Sequence, residues 1–342
     1  MQPTIWDLFN NRAFRAAEIT ALLQDIAPRP TTLGDLGMDL FRRVNSRSRT
    51  VAVMKRNRRL SLIPTSAIGA PPVELEKEGA DVRPFFTRRM AKGSTVYAES
   101  LNGILQLPEL QQVATLQGII AQNAVEILDD FALTREHMRI GAVQGKVIDA
   151  DGVTVLDDWY QNWGIAEPTP VNLHLDQEET PLRLICDQIR TAMWNASEGS
   201  WVRGQTTVHA LAGDELYLKL ITHPVVERTF LNTAFASVLR EGIPDSFVYG
   251  EITWHRFRQD PTATNFGVPA DEARFFPMGG ADVFQEVFGP GEFDPYINQP
   301  GQEVFGITIP DRDRRAWLRT EHYSYPLYIC LRPGMLQKAV ME

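Results

Sequence analysis

No stretch of this chain approaches the roughly 20 consecutive apolar residues that cross a bilayer. The N-terminus, Met1-Gln-Pro-Thr-Ile-Trp-Asp-Leu-Phe, also lacks a basic segment followed by an apolar run. Neither membrane insertion nor export by a signal is expected, and no membrane partner. Cysteine is scarce: Cys186 and Cys330 are the two in the chain, both in apolar surroundings without metal-like spacing. They read as buried thiols in a reducing compartment, with a disulfide between them left open. The six histidines, His137, His174, His209, His223, His255 and His322, form no HExxH or paired-ligand spacing. Phosphate loops of the GxxxxGK[ST] type, GxGxxG turns after a strand and G-x-S-x-G elbows are missing too. Hydrolase, nucleotidase and dehydrogenase readings lose their simplest support; no enzyme, cofactor or metal is expected.

Basic excess is likewise lacking. The net charge is −9, which argues against a protein that binds nucleic acid by neutralising phosphates, because that affinity needs a basic face. A container is different, since a mildly acidic wall does not hold its contents fast. One stretch reverses the balance: Arg42, Arg43, Arg47, Arg49, Lys55, Arg56, Arg58 and Arg59 occur without a single acidic residue between them. It reads either as a solvated hairpin tip or as an arm laid on the acidic surface of a neighbouring subunit.

What is present is ordinary globular material, 44% hydrophobic and 23% charged in 342 residues, enough for two or three folding units. The first forty or so residues read as an N-terminal arm of short amphipathic helices (Trp6, Leu8, Phe9, Phe14, Ile19, Leu22, Leu23), stopped at Pro28 and Pro30. This is too little for a core of its own, so it should lie on another surface. From Thr50 the pattern is strand-like: Val51-Ala-Val-Met and Leu60-Ser-Leu-Ile-Pro flank a polar turn, and a Pro-rich connector leads to Val82-Arg-Pro-Phe-Phe-Thr-Arg. An isolated two-stranded arm is marginal in water, so its order is expected to come from another subunit.

A long helix over 108–142 follows, with Leu110, Val113, Leu116, Ile120, Ala124, Ile127, Leu128 and Phe131 at helical spacing. At about 50 Å it exceeds what the core of one compact unit needs. It runs into a hairpin turning at Asp151-Gly152. Thr180 is placed to cap a helix carrying Leu182, Ile185, Cys186, Ile189 and Met193 on one face. Beyond Gly204 the pattern predicts strand 206–211, helices 214–221 and 224–237, and strands 247–256 and 273–277, which suits a small α/β unit. The end, 324–333, reads as a buried strand returning to the earlier hairpin.

The pairs Asp129/Asp130 and Asp157/Asp158 contain the residue type needed for acid/base work or a hard cation. Adjacent residues diverge, however, so a solvated or salt-bridged face is the better reading. Met278-Gly-Gly and Gly289-Pro-Gly-Glu-Phe read as turns of a surface loop. The aromatics around them, Phe288 and Phe293 included, read as core and interface anchors.

Several segments in order resemble one family. They are Arg59-Leu-Ser-Leu-Ile-Pro-Thr-Ser-Ala-Ile-Gly-Ala-Pro, Leu133-Thr-Arg-Glu with Gly141-Ala-Val-Gln-Gly-Lys-Val-Ile-Asp-Ala-Asp-Gly, Ile221-Thr-His-Pro with Phe230-Leu-Asn, Gly250-Glu-Ile-Thr-Trp, Asp271-Glu-Ala-Arg-Phe-Phe-Pro, and Pro326-Leu-Tyr-Ile-Cys-Leu-Arg-Pro. Together they are similar to the lambda-like bacteriophage major capsid proteins of the Hong Kong 97-type fold. The resemblance implies an α+β chain with an N-terminal arm (1–45), an extended E-loop (46–100), a P-domain with spine helix and hairpin (101–204), an A-domain (205–305) and a return to the P-domain (306–342).

It further implies a shell of hexamers and pentamers around packaged double-stranded DNA, assembled in the bacterial cytoplasm as a procapsid that later expands. Scaffold, portal and decoration proteins are implied partners. The folded pattern begins almost at Met1, so the scaffold is expected to be separate or absent. Some relatives cross-link a loop lysine to an asparagine; Lys77 and Lys92 lie in the loop, but no motif identifies that reaction. Expected inter-subunit contacts are Arg47, Arg49, Lys55, Arg56, Arg58 and Arg59 against Glu126, Asp129, Asp130, Asp157 and Asp158, with Phe288 and Phe293 as further contacts and the Gly- and Pro-rich loop of the A-domain near the symmetry axes. An encapsulin-like compartment and a soluble α/β enzyme are the alternatives.

Overall fold

The computed structural model describes residues 16–25, 33, 40–55, 81–101, 109–230, 242–258, 267–279 and 283–342. In chain order these form helix α1 (Ala16–Asp25) and strands β1 (Arg42–Asn45), β2 (Thr50–Lys55), β3 (Asp81–Phe86) and β4 (Met90–Tyr97). Helix α2 (Glu109–Gln144), strands β5 (Lys146–Ile148) and β6 (Val155–Asp158), helix α3 (Trp159–Trp163), strand β7 (Val171–Asn172) and helix α4 (Leu182–Asn195) follow. Next come β8 (Thr207–Gly213), α5 (Asp214–Ile221), α6 (Pro224–Phe230), β9 (Ser246–Tyr249), β10 (Ile252–Phe257) and β11 (Glu272–Met278). The last strands are β12 (Phe284–Phe288), β13 (Phe305–Pro310), β14 (Trp317–Ser324), β15 (Pro326–Cys330) and β16 (Gln337–Val340).

The 36-residue helix α2 is the spine. Its apolar stripe, from Leu116 through Ile120, Ala124, Ile127, Leu128 and Phe131, is buried against Ile19 and Leu23 of α1, Val96 of β4 and Leu318 of β14. At roughly 1.5–3 kcal/mol for each large apolar side chain removed from water, this seam holds α1, β4 and β14 to the spine. Helix α1, the described helix of the N-terminal arm, therefore finds its surface on the same chain, where the Thr20 hydroxyl also accepts from the Gly306 backbone N–H at 3.0 Å. Gly141 lets the end of the spine meet the following hairpin, because a Cβ there would stand 2.8 Å from the Lys146 carbonyl oxygen.

Strands β7-β16-β11-β8-β10-β9 make a six-stranded mixed sheet. On one face Val208, Ala210, Ala212, Trp254 and Phe275 pack against Leu182, Cys186, Ile189 and Met193 of α4 and Leu216, Tyr217 and Leu220 of α5. On the other face Leu211, Phe257 and Phe276 join the hairpin, α3, β12 and β15 in a second core. Burial on both faces explains why β8 reads as a largely apolar run, broken by His209, rather than an alternation. Strands β7 and β16 and helix α4, from outside 205–305, complete this sheet and its cover.

Several elements differ from the sequence reading. The expected strand 247–256 is two strands, β9 and β10, joined at Gly250-Glu251, both with positive φ, as a type I′ turn requires. Thr180 does not cap α4: its hydroxyl donates to the carbonyls of His174 and Gln177, and the cap position falls on Pro181 without a side-chain bond. The last strands do not pair with the β5–β6 hairpin; β15 joins β12 and β1, and β16 joins β11 and β7. Both cysteines are free and buried. The expected segment 60–64, the residues 231–237 of the expected helix and the arm side chains before Ala16 lie outside the described residues.

Candidate assembly interface

Strand β2 pairs antiparallel with β3, from Thr50↔Phe86 to Lys55↔Asp81, making a hairpin that leaves the body at its β1 and β4 ends. One face is docked on the chain's own body. Phe85 sits edge-on to Trp159 and Trp163 at 5.1 and 5.9 Å between ring centroids. Arg83 lies over the Trp163 ring at 5.5 Å and donates to the Asn162 carbonyl. The expectation that the arm takes its order only from another subunit thus fails for its base. On the other face Met54, Val82 and Phe86 are exposed, Phe86 by 59%. Apolar side chains of this size grouped on one hairpin face are what a partner surface covers.

The expected acidic contacts are largely engaged at home. Asp157 accepts from Arg88 Nη2 at 3.1 Å, and the same guanidinium donates to the Leu156 carbonyl at 2.6 Å. Burial pushes the Asp157 carboxyl upward, opposed by Arg88. Asp158 caps α3 by accepting from the backbone N–H groups of Tyr160 and Gln161 at 3.0 and 3.1 Å. Asp130 is bonded by Lys92, Asp129 has an interaction within the subunit, and Glu126 is exposed on the spine. Arg49 pairs with Glu292 at 3.2 Å, while Arg47 is exposed. Lys55 ends the β2 ladder, and Arg56, Arg58 and Arg59 lie outside the described residues.

Phe288 is fully buried in β12 beneath the Arg43 guanidinium. Phe293 is partly buried within 5.2–6.4 Å of the rings of Tyr323, Tyr296 and Phe305. Sequence reasoning missed Arg88, Lys92 and Glu292, whose roles depend on pairings far apart in the chain. The adjacent pair Arg88-Arg89, lying between β3 and β4 at the root of the arm, is the available signal.

Behind the arm, the spine is tied to the body by a buried ionic network. Arg139 pairs with Glu286 at 3.0 Å and Arg135 with Glu303 at 3.0 Å, while Glu136 accepts from the Leu33 backbone N–H at 2.5 Å. Arg135, Glu136 and Glu286 are all at least 95% buried, so losing one partner strands a charge away from water. This fixes the spine to β12 and to the approach to β13. Elsewhere His209 and His255 stack and share a hydrogen bond at 2.9 Å. No group of three or more His, Cys, Asp or Glu that could hold a metal is found among the described residues.

The overall fold is shared with solved capsid proteins. A crystal structure described as a prophage capsid protein from E. coli CFT073 superposes with a TM-score of 0.55 at 12% identity, covering 96% of this chain and 99% of that one. The capsid of Myoviridae phage XM1 gives 0.50 at 9% identity, covering 93% and 95%. These likenesses show the fold, which is of the Hong Kong 97 type. The major capsid protein of Salmonella phage Felix O1 is 24% identical over 272 residues, 71% of this chain and 73% of that protein. The family model "Phage major capsid protein E" matches residues 15–341, which sets aside both the enzyme reading and the encapsulin one. The chain belongs to the phage major capsid protein E family, a structural and non-enzymatic subunit whose place is the virion shell, built with other copies of its kind.

Proposed function

We propose that copies of this chain form the hexamers and pentamers of an icosahedral head that encloses packaged double-stranded DNA. The carrying observation is the division within the molecule between a body whose cores are closed and a hairpin with one face docked and the other apolar and exposed. In this reading 46–100 is the extended loop, 101–204 with the spine and 306–342 form the peripheral unit, and 205–305 the axial one, joined by α4, β7 and β16. Met54, Val82 and Phe86 meet the next subunit. The basic stretch Arg47, Lys55, Arg56, Arg58 and Arg59 meets acidic residues there, Glu126 first because it is exposed on the spine. Heterologous contacts of this kind close into rings.

A net charge of −9 suits a wall that surrounds DNA without gripping it. Scaffold, portal and decoration proteins are proposed as partners from the same phage. Electron microscopy of the overexpressed protein tests the reading: closed shells with five- and six-fold capsomers are expected, and a monodisperse monomer at assembly concentrations contradicts it. Charge reversal at Arg56 and Arg58 together is expected to reduce shell yield while leaving the thermal unfolding of the subunit unchanged.

A further inference from the structure

Both strands of the arm leave the body past one carboxylate. Arg49, at the entry to β2, donates Nη2 to Glu292 Oε2 at 3.2 Å; Arg89, at the exit from β3, donates Nε to Oε1 of the same side chain at 2.9 Å. Each guanidinium is also stacked on a tyrosine, Arg49 over Tyr325 at 5.1 Å and Arg89 over Tyr323 at 5.0 Å. The two strand roots are bonded to each other where the Thr87 N–H donates to the Arg49 carbonyl at 3.0 Å. The loop that carries Glu292 is tied to the same place through the Gly301 N–H and the Ser46 carbonyl at 2.8 Å. At the same root, Arg88 is held by Asp157 of the β5–β6 hairpin. Successive residues Arg88 and Arg89 are thus paired with carboxylates on two different elements, β6 and the loop after β12.

From this geometry we infer that Glu292 is a positioning residue for assembly: together with the hold of Asp157 on Arg88, it sets the angle at which the arm leaves the body. The inference rests on the reading of the hairpin as the arm that reaches a neighbour. Half-exposed ion pairs add little to global stability, but leverage magnifies their effect on position. A strand of six residues is about 20 Å long, so a rotation of ~10° at the root displaces its far end by ~3 Å, enough to miss a packed contact.

The test compares wild type with Glu292→Gln, Arg89→Gln and the double variant. Each is followed by thermal unfolding, amide hydrogen exchange of the unassembled subunit, and electron microscopy of assembled product. Expected are an unfolding midpoint close to wild type, exchange at Thr87 and Gly301 faster by about tenfold, and a shift from uniform shells to irregular ones. The double variant should be no worse than Glu292→Gln alone, because that change already removes the carboxylate charge that Arg89 holds together with Arg49. Uniform shells with unchanged exchange from Glu292→Gln overturn the inference, as do additive losses in the double variant. If Glu292→Gln fails to fold, Arg89→Gln decides by the same readings. Wild type failing to form shells sinks the underlying reading instead, and the exchange data still report on the clamp.

Discussion

The six-stranded sheet and the β2–β3 hairpin are made from similar β-branched and aromatic residues, but among the described residues neighbours cover the sheet on both faces, while one face of the hairpin keeps Met54, Val82 and Phe86 exposed. In the sheet, Trp254 and Phe275 meet edge-on at 5.2 Å and are completely buried. In the hairpin, Phe85 is buried and its neighbour Phe86 is not. A strand covered on one face is held by local contacts and releases locally, whereas one covered on both faces falls only with the whole unit. The comparison separates what the subunit needs in order to fold from what it holds ready for assembly.

The largest effect should come from Trp254→Ala, which empties the sheet core at a cost of about 3–5 kcal/mol; calorimetry should show a large drop in midpoint or loss of soluble protein. Phe85→Ala removes an aromatic of comparable size from the pocket of Trp159 and Trp163, at a local cost of about 3 kcal/mol. Here the body should keep its midpoint while hydrogen exchange rises through β2 and β3 and shells fail to form. A fall in midpoint matching that of Trp254→Ala would erase the distinction between the two regions.

Acidity offers a third probe. Burial lowers His209 and His322 to about 4. His209 faces His255, itself lowered by burial, and His322 lies opposite Lys92 in the β4–β14 ladder. With folded values below the ordinary one near 6.5, the unfolded chain binds more protons as pH falls. Stability is therefore complete above about 6.5 and lost progressively toward 4. Denaturant titrations at pH 7 and pH 5 should show the loss in the body, and His322→Leu should flatten part of it. The smallest effect on stability should be Phe86→Ser: an exposed site should shift unfolding by about 0.5 kcal/mol or less and still reduce shell yield.

How much of this was legible in the sequence depended on how local each signal was. The spine was read as 108–142 and is Glu109–Gln144; helix α5 was read at its observed bounds, and the Asp151-Gly152 turn is where it was expected, with the Asp151 carboxylate accepting from Val153 and Thr154. The turn at Gly250-Glu251 was missed because Gly-Glu is not the Asn-Gly or Asp-Gly pair that announces a hairpin, and the apolar pattern runs through it. The parallel pairing of β1 with β12, Arg42↔Gln285 to Asn45↔Phe288, leaves no local trace. For the same reason the partner of Arg49 proved to be Glu292. The composition of a basic stretch announces that it seeks carboxylates, and only the folded chain says which.

A cryo-electron-microscopy map of the assembled shell tests the central claim most directly, by locating Met54, Val82 and Phe86 of the hairpin. The account predicts that these side chains, exposed on the subunit, are buried against the next copy. Finding them facing solvent in the closed particle would contradict it.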